Sequence, residues 1–331
     1  MKEKLQKYTD LVSEKIGGEV LYSTDDFFAE KENLIKEGRG IFIEDKYTDH
    51  GKWMDGWESR RKRTLGHDWA ILKLGAHGII KGFDIDTNHF LGNHPPFASV
   101  EAINMSEDIS DWSNADELDW EEVLPKSPLD PGSEHFFEIN SDTVYTHVRL
   151  HIYPDGGVAR FRVFGEVFKE WNLVKSDEII DLALVNNCGK ALHCNDMFFS
   201  VMDNLISPTL GKNMGDGWET KRNRTPNNVD YVILKLGHSG MVHKIIVDTK
   251  HFKGNYPDSC AIDACYSGND DDVLSENVTW SELLPQQKLS ADNEHHYDVE
   301  VQKNATPISH IKLKIYPDGG ISRLRVLGTI K

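Results

Sequence analysis

The chain has 331 residues, with 37 Lys and Arg against 54 Asp and Glu, a formal net charge of −17. So acidic a balance lacks the basic face on which phosphate-backbone binding rests, which argues against nucleic acid as a partner but not against a small anion in a local basic pocket. No stretch approaches the roughly 18 apolar residues of a membrane span, and residues 1–15 are mixed in charge without an apolar run, so no membrane partner or secretory signal is expected and a cytoplasmic location is the default.

In chain order, Phe27-Phe28 and Asn33-Leu34-Ile35 recur 171 residues later as Phe198-Phe199 and Asn204-Leu205-Ile206. Asp55-Gly-Trp-Glu58, followed by Arg61, Arg63 and Thr64, recurs after only 161 residues as Asp216-Gly-Trp-Glu219 with Arg222, Arg224 and Thr225. The first copy therefore carries 10 extra residues between Lys36 and Met54, a surface insertion that makes the copies unlike where function sits on loops. Residues 71–75 return at 233–237, 86–93 at 248–255, 120–125 at 280–285 and 152–157 at 315–320. A period near 160 is several times a solenoid repeat, so a whole domain has been duplicated, with domains expected at 1–172 and 173–331.

Each copy reads as β-structure. Residues 69–74, 79–87, 144–152 and 158–164 are short, rich in β-branched and aromatic side chains and bounded by Gly, Pro, Asn and Asp, and the second copy repeats them at 231–236, 241–249, 309–315 and 321–327. Many strands without alternating helices predict an all-β antiparallel sandwich or jelly roll, twice over. The connection at 166–184 is expected to include a helix around 176–185. Asp155-Gly156 reads as a two-residue hairpin turn, which would set His151 opposite Arg160 and Arg149 opposite Arg162 on a basic face, and Leu150 opposite Phe161 and Val148 opposite Val163 on an apolar one. In the second copy the same register sets Lys314 opposite Arg323 and Lys312 opposite Arg325. Opposed like charges need a counter-charge, either Glu101 and Asp263 from adjacent strands or an anionic ligand.

The four cysteines, Cys188, Cys194, Cys260 and Cys265, all lie in the second copy, so a disulfide framework does not hold the fold, and buried or incidental thiols are expected. Glycosylation triplets at Asn104, Asn223, Asn277 and Asn304 are read as chance without a secretory route. Walker, zincin, dinucleotide and nucleophile-elbow motifs are all missing.

Presence in both copies filters the polar residues. It keeps Asp55/Asp216, Glu58/Glu219, Asp68/Asp230, Asp86/Asp248, Glu134/Glu294 and, in type, Glu101/Asp263. It also keeps His89/His251, His135/His295 and His147/His310, and the arginines Arg61/Arg222, Arg63/Arg224, Arg160/Arg323 and Arg162/Arg325. Glu58 with Arg61 and Arg63 in one Gly-containing loop suits a planar carboxylate or ureido group, or else the loop is anchored by Trp57 while its charges pair among themselves. The three-residue spacing from Asp86 to His89 permits a divalent metal or an acid–base pair, or simply a turn that satisfies itself.

Taken together, DGWESRRKR from Asp55, DTNHFLGN from Asp86, WEEVLP from Trp120 and YPDGGVARFRV from Tyr153, with their second-copy counterparts, resemble the allantoicase family from about Leu11 to Lys331. The resemblance implies two tandem jelly-roll β-sandwich domains of the galactose-binding-like type, hydrolysis of allantoate to ureidoglycolate and urea in purine (allantoin) catabolism, and room for a homo-oligomer. Lys221 stands where the first copy has Arg60, and Lys312 and Lys314 stand for Arg149 and His151, which favours the first copy if only one is catalytic. Roles follow from the residues rather than the family: Glu58 as acid, His89 with Asp86 as base, and Arg61, Arg63, Arg160, Arg162, His147 and Glu101 on the substrate. Glu219, Arg222, Arg224, Asp248, His251, Arg323 and Arg325 are the second-copy equivalents. A divalent metal stays open. The rival is a non-catalytic tandem carbohydrate-binding module with Trp57 as its stacking platform.

Overall fold

Alternation along residues 144–153 puts Val148, Leu150 and Ile152 on one side of a strand and His147, Arg149 and His151 on the other, and the first three are fully buried. That strand lies in a unit spanning Met1–Phe168, and Lys169–Lys331 forms a second. The structure, a computed structural model, describes residues 1–106, 109–302 and 306–331, so Asn304 lies outside the described residues. The first unit's strands are β1 (Thr9–Asp10), β2 (Glu19–Ser23), β3 (Tyr47–Thr48), β4 (Gly51–Lys52), β5 (Trp57–Glu58), β6 (Asp68–Asp86), β7 (Phe97–Ile103), β8 (Glu121–Pro128), β9 (Glu134–Glu138), β10 (Val144–Tyr153), β11 (Gly157–Val158) and β12 (Arg160–Val167).

Pairing is organised around β6. Its residues 68–73 lie between β2 and β10, with β7 and β8 continuing beyond β10. Its residues 78–86 lie against β12 and β9, with β1 outside β12. The two strands expected at 69–74 and 79–87 are thus one 19-residue strand that serves both layers of an all-β sandwich. Leu72, Ile80, Phe83, Ile85, Val148, Leu150, Phe161 and Val163 pack between the layers, together with Trp57. The outer face of the β10 layer is covered in turn by Trp112, Ala115, Leu118 and Trp120 packing on Ile71, Tyr22 and Trp69. The second unit repeats the plan, with Asp230–Asp248 in the place of β6.

The hairpin register expected across Asp155-Gly156 is wrong. β10 and β12 are not neighbours: His151 faces Trp69 and Ser99, Arg149 faces Ile71 and Glu101, Arg160 faces Asp86 and Arg162 faces Asp84. In the second unit Arg323 faces Asp248 and Arg325 faces Ile246, while Lys312 faces Ile233 and Asp263 and Lys314 faces Tyr231 and Ala261. Alternation tells which side chains leave the core; it does not tell which strand lies alongside. Here the turn at 153–157, with Gly156 at φ 140°, carries the chain from one layer to the other, so the apolar faces of β10 and β12 meet across the core instead of side by side.

The helix expected around 176–185 is also absent. The segment forms a two-residue strand, Ile180–Asp181, paired with Arg323–Ile330, and a 3-10 turn at Val185–Asn187, which buries Leu182 and Ala183 in the second core. All four cysteines are free thiols, and Cys260 and Cys265 are buried. Among the described residues no helix is long and apolar enough to cross a membrane.

The ten-residue insertion is located by matching contacts. The Ile41 N–H donates to Asp55 Oδ2 at 2.9 Å as Lys212 N–H donates to Asp216 Oδ2 at 3.0 Å, so the units stay in step through residue 41. Residues 42–54, which carry the β3–β4 hairpin, stand where the second unit has only 213–215.

Candidate functional site

The Asp-Gly-Trp-Glu loop is built from the core outward. Trp57 is fully buried and donates from Nε1 to the Asp25 carbonyl at 2.8 Å, so it anchors the loop and cannot be a sugar-stacking platform. Strand alternation then turns Glu58 away from the core. β5 pairs with β11, and Gly157 of β11 lies directly on the Phe90 ring: a Cβ there would come within 2.0 Å of a ring carbon. Gly157 N–H donates to the Asn93 carbonyl at 2.8 Å, and Asn93 Nδ2 in turn donates to Glu58 Oε1 at 2.7 Å. Burial pushes the Glu58 carboxyl above its usual range, the Asn93 hydrogen bond opposing, and no cation pairs with it among the described residues. Glu219 repeats this arrangement with Asn255 and is raised for the same reason.

The arginines divide into two kinds. Arg61 and Arg63 are exposed and have no ion-pair partner among the described residues, as is true of Arg222 and Arg224. Arg60 pairs with Asp25 at 2.6 Å and lies over the Phe27 ring at 5.0 Å. Arg160, by contrast, is buried, with its guanidinium on Asp55 Oδ2 at 2.7 Å and on the carbonyls of Gly38, Asp55 and Ala159. Arg162 reaches Asp10 and the carbonyls of Ile35, Lys36 and Gly38. These two brace the chain at 35–41 rather than present charge to a ligand. Arg323 and Arg325 repeat the bracing on Asp216 and Asp181.

Asp86 is buried and accepts both Arg39 Nε at 2.8 Å and Arg39 Nη2 at 2.9 Å, with Asn88 N–H on Oδ1. Both oxygens are engaged, and among the described residues no hydrogen bond joins Asp86 to His89, the pair expected to act as base. His89 sits in the left-handed region at φ 67° and stacks on Phe42 of the insertion, with centroids 5.6 Å apart. In the second unit Leu210 stands where Arg39 would be, Asp248 has no bidentate partner among the described residues, and His251 Nε2 meets the Gly211 carbonyl at 2.7 Å. Among the described residues no group of three or more His, Cys, Asp and Glu side chains is placed to hold a metal ion.

Glu101 and His147 belong elsewhere, on the outer face of the β10 layer. Glu101 Oε2 accepts from Arg149 at 2.6 Å and from His151 Nε2 at 2.8 Å, and His151 Nδ1 meets His67 Nε2 at 2.8 Å. Burial pushes His151 down to about 4, while burial raises and the His151 and Arg149 hydrogen bonds lower Glu101, the lowering prevailing. Arg149 is flanked by the Trp69 and Trp120 rings at 5.2 and 4.8 Å. The counter-charge expected of Glu101 and Asp263 is there, Asp263 meeting Lys314 at 2.7 Å. His147 is buried against Trp112. Arg39, His50 and His67 escaped the sequence reading because each occurs in one copy only, and a two-copy filter discards such residues.

Comparison with known proteins follows the same duplication. A family model described as Allantoicase repeat matches residues 9–168 and again 180–331. A probable allantoicase of Photobacterium profundum is 48% identical over 325 residues, covering 98% of this chain and 97% of that protein. A probable allantoicase of Pseudomonas syringae pv. syringae is 48% identical over 327 residues with the same coverage. The crystal structure of allantoicase from Saccharomyces cerevisiae superposes with a TM-score of 0.82 at 37% identity, covering 99% of this chain and 97% of that one.

Proposed function

The chain belongs to the allantoicase family, and from that premise we propose that it hydrolyses allantoate to ureidoglycolate and urea at the Glu58 loop. Allantoate carries a carboxylate and two ureido groups on one carbon. Water adds to that carbon through oxygen while one C–N bond breaks; the departing nitrogen takes a proton and leaves as urea, and the water's proton passes to a base, so one water is consumed per urea. Glu58 is the acid that protonates the departing nitrogen, and the exposed, unpaired Arg61 and Arg63 hold the carboxylate, with Arg60 beside them.

The observation that carries this reading is a half-buried carboxyl held by an amide and, among the described residues, by no cation, with two exposed guanidiniums further along the same loop that have no ion-pair partner among those residues. A desolvated carboxyl stays protonated to higher pH, as a general acid must. The rival binding-module reading loses its key residue with the burial of Trp57. The proposal takes the enzyme as cytoplasmic, without nucleic-acid partners, and as a homo-oligomer that light scattering would register. Glu58→Gln is expected to lower kcat for urea release by about 10² to 10⁴ with KM for allantoate little changed. Undiminished kcat would remove Glu58 from the reaction.

A further inference from the structure

The insertion at 42–54 does something specific at its tip. The β3–β4 hairpin turns at Asp49-His50, and His50 Nδ1 lies 2.6 Å from the Phe27 carbonyl oxygen, its ring stacked on the Phe27 ring with centroids 4.0 Å apart and planes 18° apart. A carbonyl can only accept, so Nδ1 carries the hydrogen, and in the neutral ring the Nε2 lone pair is left free. The same peptide unit whose carbonyl fixes His50 donates its N–H, that of Phe28, to the Glu58 carbonyl at 3.2 Å. One peptide group therefore ties an oriented imidazole to the backbone of the residue that carries the uncompensated carboxyl. The C=O and N–H of a trans peptide point in opposite directions, so His50 and Glu58 flank the Phe27–Phe28 peptide on its two sides, and at the other end of the insertion Phe42 meets His89.

The second unit has the same Phe pair, the same Phe199 N–H to Glu219 carbonyl bond at 3.2 Å and the same acid–amide pair, but residues 213–215 are too few to form a hairpin. Its Phe198 is 69% exposed, against 40% for Phe27.

We propose that His50 is the catalytic base that works opposite Glu58, and that hydrolysis is therefore confined to the first unit. This rests on the Glu58 reading above. His50 Nε2 takes a proton from the attacking water as its oxygen bonds to the central carbon; the electrons of the breaking C–N bond stay on the ureido nitrogen, which takes the Glu58 proton. The imidazolium proton then returns to the Glu58 carboxylate through solvent, restoring both groups. His50 is a better base than His89 because its tautomer is set by a hydrogen bond, whereas no hydrogen bond orients the His89 ring among the described residues.

The test measures urea release from allantoate by the full chain as wild type, Glu58→Gln and His50→Ala, with and without added imidazole, alongside thermal midpoints. His50→Ala is expected to lose about 100-fold or more in kcat with KM little moved and the midpoint unchanged, since the side chain is exposed, and imidazole is expected to restore about tenfold. An inactive wild type, or an undiminished Glu58→Gln, would fail the functional reading itself. If wild type is active and Glu58→Gln is not, but His50→Ala keeps its kcat or loses it without any recovery in imidazole, the role given to His50 is overturned.

Discussion

Desolvation raises an acidic side chain here where no cation or hydrogen bond outweighs it, as partners do at Glu101 and Asp55. Glu58 and Asp84 are both pushed up by burial, but Asp84 also faces the charges of Asp86 and Glu134 and reaches about 7, well above its ordinary 3.8. The sign for stability follows from which state holds the proton more tightly. Asp84 binds it more tightly when folded, so its contribution is fully present below about pH 3.8 and is lost as pH rises through about 7. Asp84→Asn should therefore be more stable than wild type at pH 8, on the order of 1 to 3 kcal/mol, with the advantage vanishing near pH 4. Urea denaturation at the two pH values measures this, and an unchanged difference between them would mean Asp84 does not titrate in that range. Glu58 obeys the same rule for activity: the acid form is needed, so urea release should fall as rising pH ionises it.

Among the elements, the β3–β4 hairpin and the Asp-Gly-Trp-Glu loop are separable in energy although they meet in space. Trp57 belongs to the core between the layers, whereas Phe42, Ile43 and Tyr47 of the insertion are exposed and of residues 42–54 only Met54 is buried, against Ala29, Phe90 and Ala159. Replacing residues 42–53 by Asn-Met, the second unit's 213–214, and so keeping Met54, should leave the thermal midpoint within a few degrees, because little core area is lost. The same replacement should abolish urea release. A swap that keeps turnover would show that the insertion is not part of the site.

For the molecule as a whole, duplication gave two units that each own a core. The main cluster of the first, from Leu11 to Val163, draws on no residue beyond Phe168. Residues 1–168 expressed alone are accordingly expected to melt cooperatively with intact near-ultraviolet dichroism, since about 170 residues suffice for an independent core. A non-cooperative melt would show that the first unit depends on the second.

What the sequence determined by itself was whatever recurrence and alternation can carry. The offsets of 161 and 171 residues revealed the duplication and the extra stretch, period-two patterning separated Val148 and Leu150 from Arg149 and His151, and motifs in series indicated the family. Both kinds of signal are local along the chain. The tertiary structure alone decided that Arg160 and Arg162 are spent on Asp55, Asp10 and backbone carbonyls, that Arg39 occupies Asp86, and that His50 lands on the Phe27 carbonyl. Those outcomes depend on which strand lies beside which and on where a loop folds back, and they join residues 23 to 152 positions apart, contacts about which neither composition nor period holds information.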